Sequence, residues 1–170
     1  MSNDKGEAEM KLVKQPKNKI LQQIVFGIIV DASPTKNKDD WKKVFKYASP
    51  DFERYELVGG ESSKKIKVDV YKTIKDGNFK EICYSLSHNR DGLAVSIDQM
   101  SGFCLRNKPV LNKINYSTFF LLKNKREEFF VAGVYVRLDG LHVYVNRFEY
   151  GYRWYAGHAH RLVAQQVLSL

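Results

Sequence analysis

The segment Leu141–Tyr155, LHVYVNRFEYGYRWY, holds the densest set of side chains able to bind something. Alternate side chains of an extended strand share a face. The even positions are then His142, Tyr144, Asn146, Phe148, Tyr150, Tyr152 and Trp154, nearly all aromatic. The odd positions begin Leu141, Val143 and Val145 and continue with Arg147, Glu149 and Arg153. An aromatic face can stack unpaired bases while nearby arginines hold phosphates. Arg137, Arg147, Tyr150, Tyr152, Arg153, Trp154 and Arg161 are the residues this chemistry would use on single-stranded nucleic acid. Arg137 and Arg147 are expected on paired strands across the Asp139-Gly140 turn, both pointing off the sheet near its far end. Arg153 shares the nominal face of Arg147. The aromatic residues point the other way unless Gly151 introduces a bulge. Core packing under N-terminal helices is the favoured use of the even face, since most large aromatics end up buried.

His158 and His160 lie one residue apart and on a strand could share a metal. They would need further ligands, such as His142, Glu149 or His88, and no ordered zinc spacing is present. As a general base beside Arg153 or Arg161 the same pair lacks a partner motif. There is no P-loop, no GxGxxG and no GxSxG elbow. The chain therefore reads as non-enzymatic, without cofactor or metal. Cys83 and Cys104 sit in apolar runs and are expected to be reduced and buried.

The elements that must position these residues follow from patterning. Residues 1–18 read as a flexible tail and 19–170 as one domain. Asn18–Val30 has apolar residues at 20, 21, 24, 25, 28 and 29, a helical spacing. A second helix capped by Asp39 or Asp40 carries Trp41, Val44, Phe45 and Ala48 on one face and stops at Pro50. Gly59-Gly60 is a break. Beyond it the period is mostly two, giving strands over 65–75, 79–87, 92–98, 116–123, 128–138 and 141–150. Asp139-Gly140 is the cleanest hairpin signal. Residues 102–113 read as irregular, and 159–170 as a strand or a short helix. The expected fold class is α+β: a strongly curved, mostly antiparallel sheet of about six strands, in two three-strand meanders, with two N-terminal helices packed on it.

Composition bounds the function. The 170 residues carry a formal charge of +9, and seven of the eight arginines fall in the second half. That suits a polyanionic partner. The first expectation is a binding protein for single-stranded nucleic acid. The alternative is a small bacterial protein-interaction module, an accessory, immunity or secretion-system component, consistent with abundant Tyr and Arg. A small-ligand binder or enzyme using a cavity in the curved sheet is the third. The polar start shows no signal-peptide core, and Ile24–Val30 is too short to span a bilayer, so the cytoplasm is the expected compartment.

Overall fold

The computed structural model describes residues 19–58 and 64–167. The expected tail, 1–18, and the Gly59-Gly60 break lie outside them. The described chain is α+β, with one seven-stranded mixed sheet. In chain order the elements are β1 (Leu21–Val30), α1 (Lys38–Lys42), β2 (Tyr47–Ala48), α2 (Asp51–Arg54) and β3 (Ile66–Thr73). There follow α3 (Phe79–Tyr84), α4 (Arg90–Leu93), α5 (Ile97–Arg106), β4 (Ser117–Lys123), β5 (Phe129–Arg137), β6 (Gly140–Arg147) and β7 (Arg161–Gln165). The strands lie side by side as β1-β3-β7-β4-β5-β6-β2. Two pairings are parallel, β4 with β7 and β2 with β6, and the others are antiparallel.

The structure departs from several expectations. The first apolar segment is a strand, not a helix. Two irregularities in β1, between Gln23 and Val25 and between Val25 and Ile28, shift its register against β3. Each shift changes which face a side chain meets. Ile24, Val25, Ile28 and Val30 therefore all reach the same core from an extended chain, which mimics helical spacing. Gly27, at φ +61°, makes one of these turns possible and donates its N–H to Asp69.

Segments 79–87 and 92–98 are not strands. Each is overruled by a helix N-terminus: Asn78 with Glu81 opens α3, and Ser96 with Gln99 opens α5, both as reciprocal capping boxes. The apolar residues of α5 then fall at Ile97, Met100, Phe103 and Cys104, so the stretch taken as irregular is partly a buried helix. The second expected helix shrinks to α1, capped by Asn37 rather than by either aspartate. The other four segments, 65–75, 116–123, 128–138 and 141–150, do contain strands of one sheet. The last stretch supplies β7, which inserts between β3 and β4. The sheet is thus seven-stranded and mixed, not two antiparallel meanders, and its helices are not gathered at the N-terminus.

Both faces of the sheet are covered, in part. On one, Val68, Val70, Phe120, Leu122, Phe130, Ala132, Val143 and Val145 pack with Phe45, Phe52 and the buried side of α5. On the other, Tyr71, Phe119, Leu121, Val131, Phe148 and Leu162 pack under α3 and α4. α3 and α4 cover only part of this second face. Cys83 and Cys104 are free and buried, one on each side of the sheet. Burial pushes the Cys83 thiol up to about 12 and raises Cys104 as well. No described helix is long and apolar enough to cross a membrane.

Candidate functional site

The uncovered part of the second face lies where β5 and β6 meet the short β2. In β5, residues 131, 133, 135 and 137 point to this face, and in β6 the even residues do. The β5–β6 register sets Tyr135 opposite His142 and Gly133 opposite Tyr144. β2 continues the row, with Tyr47 beside His142. The rings touch in sequence: Tyr47 lies 5.3 Å from Tyr144, and Tyr144 5.7 Å from Tyr135, centroid to centroid. The Arg137 guanidinium sits over the Tyr135 ring at 5.0 Å and donates to Asn115. Burial raises the Tyr135 phenol above its ordinary value.

After β6 the chain turns. Phe148 goes into the core, with Arg90 above it, while Tyr150 and Tyr152 stack on each other at 6.1 Å with their planes nearly parallel. Tyr47, Tyr144, Tyr150 and Tyr152 are between 38% and 53% exposed, so each offers a wet edge or face on a supported ring.

Two adjoining clefts run along the outer edge of β6. One, of about 410 Å³, is lined by Ser49, Asp51, Tyr135, Arg137, Tyr144, Val145 and Asn146. The other, of about 330 Å³, is lined by Asp51, Tyr55, Val145, Asn146, Arg147, Glu149 and Tyr150. Their charged lining, taken together, is Arg137 and Arg147 against Asp51 and Glu149. The region is close to neutral although the chain carries +9. A further cleft of about 400 Å³ lies beside α1, with Trp41, Phe45 and Phe52 at its floor and Lys38, Lys42 and Lys46 at its rim.

The residues singled out from sequence are dispersed by the fold. Arg137 and Arg147 do lie on paired strands. They point to opposite faces and stand at opposite ends of the hairpin. Arg147 covers Tyr55 and Phe130 on the first face. Arg153 belongs to the second face. It holds both carboxylate oxygens of Glu81 at 2.9 Å and keeps that acid below its ordinary range, with help from the Asn78 N–H. Arg161 donates to the carbonyls of Val110 and Leu111, and burial lowers its pKa. Trp154 is half-buried and packs on Phe79 and Phe119. Of the seven, Arg137 joins the row formed by Tyr47, Tyr144 and Tyr135, and Tyr150 and Tyr152 form an exposed stack of their own after β6. Tyr144 was visible as an even-position residue, whereas Tyr47 reaches it only through a two-residue parallel bridge that has no signature in the chain.

The histidines have separate roles. His158 stacks on Tyr116, and Ala159, at φ +45°, turns the chain so that His160 goes inside. The His160 Nδ1 lies 2.8 Å from the Ser117 hydroxyl. Burial, then the nearby His158, push its pKa down to about 4. Its Nε2 and the Trp154 Nε1 are buried without a hydrogen-bond partner among the described residues. Among those residues no three His, Cys, Asp or Glu side chains gather as a metal site. Comparison with known proteins found no matching family model, curated protein or solved structure.

Proposed function

We propose that this chain is a non-enzymatic protein-interaction module that engages a partner through the tyrosine face at β2, β6 and β5. The observation that carries it is the continuous row Tyr47–Tyr144–Tyr135, ending under Arg137 and flanked by near-neutral clefts. Tyrosine and arginine are among the side chains most enriched at the energetic centres of protein interfaces. Rings already held by neighbours lose little conformational freedom on binding, so more of the contact energy shows as affinity.

Single-stranded nucleic acid is the second reading, favoured by the overall charge and by Arg137 over an aromatic ring. It calls for unopposed positive charge along the stacking face. Arg153 bonds Glu81 and Arg161 bonds the Val110 and Leu111 carbonyls, while Arg137 and Arg147 share the clefts with Asp51 and Glu149. The protein reading therefore stands ahead of it.

Selection of a phage-displayed random peptide library on the whole chain, beside titration with single-stranded oligonucleotides, separates the two. The expected result is peptides that bind the unaltered chain and lose about 1–3 kcal/mol of affinity to Tyr144→Ala, the usual cost of removing a central interface aromatic. Salt-sensitive oligonucleotide binding lost in the same variant, with no peptide enriched, would give the site to nucleic acid.

A further inference from the structure

Resting on the interaction reading above, we infer that the partner is an extended peptide segment that adds as a strand to the outer edge of β6 at Val145. Phe148 donates its N–H to Phe129, and the β5–β6 register places that pair in line with Asn146–Val131 and Tyr144–Gly133. Directly opposed residues of an antiparallel pair alternate between bonded and unbonded. The even residues of β6 thus bond to β5, and the N–H and C=O groups of Leu141, Val143, Val145 and Arg147 point outward.

Three of those outward carbonyls are used. Leu141 accepts from Lys46, Val143 from Ser49 and Arg147 from Tyr150. Among the described residues nothing bonds the Val145 N–H or C=O. The reason is local: Ser49 is followed by Pro50, in helical backbone at φ −58°, which opens α2, so a helical turn rather than a strand lies beside this part of β6. β2 therefore ends at Ala48, and beyond it no described strand pairs with β6 where the clefts begin.

The clefts fit what an added strand would bring. Val145 is only 5% exposed, and it lines both clefts. One cleft opens on the Tyr135 and Tyr144 side of the sheet. The other reaches Tyr55 and Arg147, which belong to the opposite face. Successive side chains of a strand point to opposite faces, so neighbouring peptide residues would enter one cleft each while their backbone pairs with Val145.

The far edge of the sheet differs. β1 carries two register irregularities and a left-handed Gly27, devices that disturb a straight run of donors and acceptors. Exposed Phe26 and Ile29 make that edge apolar but not regular. Strand addition is thus assigned to β6.

The test uses a peptide selected on the whole chain as above. Each of its residues is N-methylated in turn, and backbone amide exchange of the protein is followed by NMR. Expected are losses of at least about tenfold at alternate peptide positions, because only alternate N–H groups of a strand face one neighbour. In the free chain the Val145 amide should exchange faster than those of Tyr144 and Asn146, and the peptide should slow it by at least about tenfold. Binding that Tyr144→Ala weakens but N-methylation and Val145 exchange do not register would overturn strand addition and leave the interaction reading in place. Failure to enrich any peptide would remove both.

Discussion

His160 shows how one residue can look like a ligand in the sequence and act as structure in the fold. Its partner by spacing, His158, is exposed, and the left-handed Ala159 between them breaks the strand alternation that would have aligned them. The buried ring is neutral, with its pKa pushed down to about 4 from 6.5, first by burial and then by His158. The unfolded chain takes up the proton at its ordinary value and the folded chain resists. This contribution to stability is therefore complete above about pH 6.5 and is lost as pH falls toward 4. At 1.36 kcal/mol per unit, the loss is at most about 3 kcal/mol. Urea denaturation midpoints between pH 7 and pH 4 should fall for the unaltered chain. His160→Gln, which does not titrate, should show a flatter profile over the same range. Equal slopes would mean that His160 is not the group responsible.

At the scale of elements, the sequence was legible where a single period was uncontested. β3, β4 and β5 lie inside expected segments, while β6 opens one residue ahead of its own, at Gly140, and the hairpin turns through Leu138-Asp139, one residue before the expected Asp139-Gly140. It misled where two signals competed. Around Ile82 and Ile97 the alternation of apolar residues is real, but Asn78–Glu81 and Ser96–Gln99 cap helices there. In β1 the bulges wrote a helical spacing onto a strand. Of the candidate site, the even-numbered aromatics of β6 were legible. The clefts were not, because they depend on where Pro50 puts a helical turn beside the edge. A second contact of this kind lies at Gly102. It brings α5 against the chain after β1 so closely that a Cβ would sit 1.8 Å from the Asp31 carbonyl oxygen. Only backbone movement could relieve that overlap. Gly102→Ala should destabilise the protein by about 1–3 kcal/mol or more, the cost of overpacking a tight contact. Gly151→Ala, where a Cβ meets nothing within 4 Å, should change the denaturation midpoint little. Comparable effects from the two would refute the close packing of α5 on this connection.

For the whole molecule, the question is where a charge of +9 acts. The clefts beside β6 carry two arginines and two carboxylates, so the excess lies elsewhere, including the lysine rim Lys38, Lys42 and Lys46 beside α1. A general positive field speeds encounter with any anionic partner but does not choose a surface. Specific binding at the tyrosine face should therefore depend weakly on salt, while non-specific attraction to polyanions should be screened out. For a selected peptide of low net charge, affinity should change by less than about threefold between about 50 mM and about 300 mM salt. Any oligonucleotide affinity should fall steeply over the same range, with a slope set by the number of phosphates neutralised. Arg137→Ala separates the two. It should weaken the peptide, because that guanidinium caps the ring of Tyr135, yet leave the oligonucleotide salt slope unchanged, because the lysines elsewhere carry that term. A slope reduced by about one unit in Arg137→Ala would instead place a phosphate on the tyrosine face, and the nucleic-acid reading would then displace the peptide one.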